Sequence, residues 1–267
     1  MSEIRYVLMD PSKNITILVE TPLTIDKHSE VAKVLMKLEP TAEQLGFIMS
    51  FDEKDIFIRM AGGEFCGNAA MSVASLYAME HKLDRYETQV SFYGNELSIK
   101  NEVKVIVNKL TDENYEGLVY MPKPKRIENV DIDNIKALPI VSFEGISHII
   151  IDKEIEKNLA EKYIKDWCKL LNLEALGFMF YKKIDDSNYE LKPLVYVRDI
   201  DSLFWENACA SGTFAFGTYQ MLHNNLSQIF VKQAGGDVLE VKNENGDFCL
   251  IGQAKFLYKK TFKGVFE

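Results

Sequence analysis

The sequence predicts an α/β protein built from two similar domains, and three observations carry that expectation. Strand-like β-branched runs alternate with amphipathic helical stretches. Two prolines, two residues apart, interrupt the chain near its middle. Two cysteines stand in matched small-residue surroundings about half a chain apart. Repetition at that period indicates duplicated α/β domains related by a pseudo-twofold, not a solenoid of short units.

Taken in order, residues 14–19 form a β-branched run that reads as a strand. A helix from Ser29 to Leu38 follows, with Val31, Val34, Leu35 and Leu38 on one side. The segment Met121-Pro122-Lys123-Pro124-Lys125-Arg126 fits neither a central strand nor a helix interior, because proline fixes φ and lacks the amide hydrogen. Its basic residues keep it exposed, so it reads as a linker. Beyond it, His148 to Asp152 repeats the strand, and Glu154 to Leu171 repeats the helix, with Ile155, Leu159, Tyr163, Trp167 and Leu171 recurring every four residues. Each half then reaches a cysteine that opens a helical apolar pattern. These stretches are Gly63-Glu64-Phe65-Cys66-Gly67-Asn68-Ala69 and Trp205-Glu206-Asn207-Ala208-Cys209-Ala210-Ser211-Gly212-Thr213. Strand-like runs follow both, such as Val238 to Val241 after Gly235-Gly236.

Composition narrows the function classes. The 267 residues carry 31 Lys plus Arg against 40 Asp plus Glu, a formal charge of −9, which leaves no basic surplus to release counterions from nucleic acid. No stretch approaches the roughly 18 apolar residues of a spanning helix, and residues 1–6 lack a signal-like apolar region, so no membrane association and a cytoplasmic location are expected. Cys66, Cys168, Cys209 and Cys249 lie far apart with no CxxC pair, which argues against a disulfide scaffold and against a metal site. Cys168 and Cys249 lack a glycine-rich helix start and read as packing residues.

A cysteine just before a helix faces unpaired backbone N–H groups and the positive end of the dipole. That setting favours thiolate over thiol, and the small residues that follow let amides approach a carboxylate. Duplicated about a twofold, the arrangement would present two sulfurs to one cleft holding a small α-amino acid. A thiolate could then remove the α-proton from one face while a thiol protonates the other. The helix dipoles would steady the enolate-like charge on the carboxylate. Neither metal nor pyridoxal is required.

These residues resemble the two cysteine motifs of the diaminopimelate epimerase and proline racemase superfamily. Asn14 stands where that family opens its first strand, Glu43-Gln44-Leu45 is similar to its Asp-Gln-Leu stretch, and Gln233-Ala234-Gly235-Gly236 to its Gln-Pro-Gly-Gly turn. Within the superfamily the motifs most resemble the histidine racemases of staphylopine-type metallophore biosynthesis. The resemblance implies a diaminopimelate epimerase-like α+β fold, each domain wrapping strands around a central helix. The division implied is residues 1–121, joined by a C-terminal strand at 257–267, and residues 122–256. It also implies catalysis by Cys66 and Cys209 without a cofactor, on an amino acid as the small-molecule partner, with a homodimer left open. Diaminopimelate is disfavoured as a substrate, because Ile146 and Gly177 fall where the family places asparagines. The family's Glu-Arg pair is also out of phase, with Arg198 and Asp199 the nearest candidates.

The substrate-binding set expected around the cysteines is Asn14, Glu43, Gln44, Gly67, Asn68, His148, Glu206, Ala210, Ser211 and Gly212. Glu43 could accept from an α-ammonium or an imidazole N–H, His148 could tune a cysteine, and Glu206 could help move protons. Phe65 and Trp205 could wall the site, with core packing expected for at least one. Racemisation or epimerisation of another amino acid, and binding without turnover, are the alternatives these motifs leave.

Overall fold

The computed structural model describes residues 2–94, 98–133, 135–244 and 246–264. The chain divides into two compact units, Met1–Val119 with Gly252–Glu267, and Tyr120–Ile251.

The first unit contains β1 (Ser2–Pro11), β2 (Thr16–Val19), α1 (Ile25–Leu38), β3 (Gln44–Phe51), β4 (Asp55–Met60), α2 (Gly67–Glu80), β5 (Arg85–Tyr93), β6 (Ile99–Thr111) and β7 (Asn114–Tyr120). Its strands run in chain order to β7 and then to the last strand, β16 (Asp247–Gly264). β16 pairs back on β1 from Pro11↔Ala254 to Ser2↔Gly264, closing an eight-stranded ring. α2 touches β1, β2, β5 and β6, strands spread around that ring, so it runs through the interior. Its sequence explains the placement. Gly67 to Ala78 are all buried, and a helix that is small and apolar on every side has no face suited to water.

α1 is instead amphipathic and packs on the outside of the sheet through Val31, Ala32 and Leu35. It starts at Ile25, four residues before the expected Ser29, because Thr24 supplies an extended N-cap and Asp26 adds an acid to the first turn. Leu38, expected on the buried side, is exposed at the helix end.

The second unit contains β8 (Arg126–Ile132), β9 (Ile135–Ser142), β10 (Ser147–Ile151), α3 (Lys157–Leu170), β11 (Ala175–Lys183), β12 (Asn188–Val197), β13 (Ser202–Trp205), α4 (Ala210–Asn224), β14 (Gln228–Lys232) and β15 (Val238–Glu244). Residues 121–124 have no regular structure. The strand order is β8-β9-β10-β11-β12-β14-β15, continued by the start of β16, and β13 pairs with β12. α4 is buried from Ala210 to Thr218 and touches β9, β10, β11, β14 and β15. The second unit thus repeats the first: one helix buried over most of its length, with Leu222 exposed at the end of α4, and one amphipathic helix. The chain re-enters the first unit at Gly252, ahead of the expected residue 257, because β16 is unbroken and changes partner midway. It pairs with β15 up to Ile251 and with β1 from Ala254.

α3 refines the four-residue stripe. Its fully buried residues are Ala160, Ile164, Trp167 and Cys168, with Ile155, Tyr163 and Leu171 of the expected stripe packed partly buried against the same core, while Leu159 is exposed. Four residues turn a helix by about 40° beyond a full circle, so a strict period of four drifts off any one face. No helix among the described residues is long and apolar enough to cross a membrane.

The C-terminal strand is pinned to the first unit by Glu39, at the C-cap of α1. Its carboxylate accepts from the Tyr6 and Tyr258 hydroxyls and from Lys260 Nζ, each at 2.8 Å. Burial pushes Glu39 up, but the hydrogen bonds from Lys260, Tyr6 and Tyr258 outweigh it and hold the carboxyl below its usual range. Glu39→Ala should therefore destabilise the protein by about 2–4 kcal/mol, since it strands the buried Tyr6 hydroxyl. Chemical denaturation measures this, and a loss under about 0.5 kcal/mol would show that the cluster contributes nothing.

Candidate active site

In the first unit, the turn after β1 brings Asn14 in behind Ser12 and Lys13, both at positive φ, with Asn14 N–H donating to the Pro11 carbonyl. Asn14 is fully buried and its amide donates to Glu43 Oε2 at 3.0 Å. β2 runs parallel to β3 in the register Thr16↔Gln44, which sets Asn14, Glu43 and Gln44 side by side at the strand starts. Gln44 Oε1 accepts the Cys66 thiol proton. Cys66 is the N-cap of α2, and its sulfur accepts from the Ala69 amide at 3.3 Å. Gly67 and Asn68, both buried, form the first turn. The structure thus brings together Asn14, Glu43, Gln44, Cys66, Gly67 and Asn68.

In the second unit Cys209 caps α4 with nearly the same backbone, φ −127° and ψ 106° against −138° and 107° for Cys66. Its surroundings differ. Burial, then the charge and hydrogen bond of Glu206, push the Cys209 thiol well above its ordinary range, against smaller opposing contributions from Gly212 N–H and Ser211. The expected thiolate-favouring effect of the helix start is therefore overridden here: desolvation and a neighbouring carboxylate exceed the dipole. Cys209 N–H donates to Gln233 Oε1 at 3.2 Å, and Gln233 Nε2 donates to Thr213 Oγ1 and to the Val231 carbonyl.

His148, Ser211 and Cys209 form a chain. His148 Nε2 lies 3.1 Å from Ser211 Oγ, which lies 3.7 Å from Cys209 Sγ. Full burial lowers His148 to about 3, so the ring is neutral. Its Nδ1 is buried with no hydrogen-bond partner. An orphaned acceptor is cheaper than an orphaned N–H, so the proton belongs on Nε2, donating to Ser211 and freeing the hydroxyl to donate to the sulfur. Gly177 is paired opposite His148 across β10 and β11, and a Cβ there would come within 2.4 Å of His148 Nδ1. A glycine at the family's asparagine position is thus a condition of the buried ring. At Gly212 a Cβ would meet Met179 Sδ at 2.2 Å, so the thioether end of Met179 would have to move aside.

The remaining candidates fall elsewhere. Phe65 is buried edge-on against Phe92. Trp205 stacks on Phe180 and donates Nε1 to Glu161, with the α3 side of the core. Cys168 and Cys249 are fully buried packing residues. Ile146 is buried, and Arg198 turns to Asn172 Oδ1 at 3.3 Å instead of joining Glu206. Met179 and Thr213 were not singled out from sequence, because they become neighbours of the site only through strand pairing and one helical turn. Among the described residues no group of three His, Cys, Asp or Glu side chains could hold a metal ion.

Comparison with known proteins identifies what this chain resembles. The family described as "Histidine racemase CntK N-terminal domain" matches residues 3–248. A histidine racemase of Fusobacterium nucleatum subsp. nucleatum is 36% identical over 261 residues, 94% of each chain. A histidine racemase of Staphylococcus aureus (strain Mu50) is 29% identical over 249 residues, 88% of this chain and 87% of that one. Among solved structures, a hydroxyproline epimerase from Agrobacterium vitis with bound trans-4-OH-L-proline superposes with a TM-score of 0.67 at 9% identity, covering 97% of this chain and 92% of its own. A PhzF-family phenazine biosynthesis protein from Bacillus anthracis gives 0.66 at 12% identity, covering 98% and 100%. At such identities the solved structures establish the α+β fold alone.

Two buried histidines set an acid limit on stability. His148 is lowered to about 3 by burial, and His28, stacked on Phe47, to about 4 by burial and then by Arg59. The unfolded chain binds these protons near pH 6.5 while the folded chain does not. Stability is therefore full above about pH 6.5 and falls as the pH drops towards the folded values. By about pH 5 the loss from His148 should reach roughly 2 kcal/mol. Melting temperatures across this range test it, and an unchanged melting temperature between pH 7 and 5 would refute it.

Proposed function

Because this chain belongs to the histidine racemase family and is an isomerase, we propose that it interconverts L- and D-histidine without a cofactor, using Cys66 and Cys209 as its two acid/base groups. The observation that carries this reading is that α2 and α4, the helices buried from their first turns onward, are each capped by a cysteine in the same extended conformation.

The chemistry follows from the different surroundings of the two sulfurs. Cys209, held as a thiol by burial and Glu206, is the proton donor in the resting state. When it has given up its proton, Ser211 O–H and Gly212 N–H are the donors that receive the thiolate. Cys66 is the base for the opposite face. Gln44 suits both of its protonation states, since Oε1 accepts from a thiol and the amide can turn Nε2 to donate to a thiolate. Ala69 N–H supports the same sulfur from the helix. The backbone amides of the first turns, Gly67-Asn68 and Ala210-Ser211, bind the substrate carboxylate and stabilise charge delocalised onto it. Glu43, oriented by Asn14, accepts from the ammonium or the imidazole N–H. Reversing the direction exchanges the roles of the two cysteines, as microscopic reversibility requires.

Racemisation of L-histidine in deuterated water should place deuterium at Cα, read by mass spectrometry at low conversion. Product that keeps its original proton would overturn the scheme. Cys66→Ala and Cys209→Ala should each cut kcat by about a thousandfold or more, and near-normal turnover of either variant removes that cysteine from the mechanism. Glu206→Gln deletes the charge that raises the Cys209 thiol, so the limb of the kcat/KM profile belonging to Cys209 should move to lower pH. An unmoved limb would detach Glu206 from Cys209.

A further inference from the structure

The second unit carries an open groove of about 600 Å³ that has no part in the chemistry above. Its aromatic wall is the Phe180–Trp205 pair, stacked with ring centroids 5.6 Å apart and 22° between planes. Lys182 on β11, Lys192 on β12 and Lys153 before α3 also line it, are exposed, and make no ion pair among the described residues. Glu190, another lining residue, is engaged by Lys232 at 3.4 Å. On a chain with formal charge −9, three ammonium groups without ion pairs beside a half-buried indole are a local departure from the overall field. Asp152 and Glu154, on either side of Lys153 in the chain, add two carboxylates to the lining.

We propose that this groove binds a nucleoside diphosphate, its base against Trp205, its ribose hydroxyls on Asp152 and Glu154, and its phosphates on Lys182 and Lys192. Each feature of the groove has a matching part of that ligand. A flat ring stacks on an indole, lysines take phosphate oxygens, and carboxylates accept from vicinal hydroxyls. The volume lies within the range of sites that enclose small ligands.

Strand geometry couples the groove to the cysteine. Successive residues of a strand point to opposite faces. On β11, Phe180 faces the groove while Met179 packs where a Gly212 side chain would be, beside Cys209. At the end of β13, Trp205 faces the groove while the next residue, Glu206, is buried against Cys209. A ligand that shifts the Phe180–Trp205 pair therefore shifts both neighbours of the sulfur. Binding stands by itself, whereas this coupling rests on Cys209 taking part in racemisation.

Trp205 is a built-in reporter, because the other tryptophan, Trp167, is 1% exposed and donates to Asp133. Titration with ADP should change tryptophan fluorescence saturably, in the wild type and equally in Cys209→Ala. Lys182→Gln with Lys192→Gln should weaken ADP by about tenfold or more, and adenosine should bind the wild type weaker by a similar factor. In the wild type, the racemisation rate should change with the same half-saturation as the fluorescence. No saturable signal up to millimolar ADP, or equal affinity in the double lysine variant, overturns the site. Saturable binding with an unchanged racemisation rate overturns the coupling. An inactive wild type that still binds ADP would instead count against the racemase reading and leave the site standing.

Discussion

A cysteine that caps a buried helix is the constraint around which each unit is organised. α2 and α4 carry almost nothing but small and apolar residues, so they can be covered by strands on all sides. Covering a helix completely also covers its first turn, whose amides then lack water and need partners from the chain or from a ligand. Sulfur at the cap meets part of that need, as the Ala69 amide on Cys66 illustrates. The glycines and small residues beyond each cap place little side-chain bulk around the first turn. In the proposed mechanism, structural necessity and chemical use coincide at one turn in each unit.

The two caps share a backbone but not an environment, and that difference underlies the proposed division of roles between the sulfurs. Cys66 meets a neutral amide, Gln44, able to serve either protonation state. Cys209 meets a carboxylate that favours the thiol, opposed by a serine hydroxyl and a backbone amide that favour the thiolate. Behind Ser211 stands a histidine kept neutral by burial, so it fixes the hydroxyl without adding charge. A protonated ring there would pull the sulfur towards thiolate and undo the contribution of Glu206.

Packing around these groups allows little exchange of residues. At Gly177 a rigid imidazole occupies the space of a side chain, and at Gly212 a thioether end would have to move aside for one. On the outside, Glu39 gathers two tyrosines and a lysine and ties the last strand to the first. A C-terminal segment closes the first barrel through that contact, so residues more than 200 apart in the chain share one core.

The sequence by itself determined the two half-chain repeats, the strands and helices that build them, and the cysteines at the helix starts. All of these rest on local signals: β-branching, apolar periodicity, proline, and small residues after a cysteine. It also pointed to Asn14, Glu43, Gln44, His148, Glu206 and Ser211, through motif resemblance alone. What it misjudged were quantities set by distant neighbours. A local motif suggests a dipole that favours the Cys209 thiolate, but desolvation and the Glu206 charge depend on which strands cover the site. The buried face of α3, the choice of glycine at 177, and the removal of Trp205 to the Phe180 wall were likewise decided by the fold. Periodicity says that a helix has a face. Only the strands packed against it fix which residues that face contains, because burial is a property of neighbours that the chain brings together from far apart.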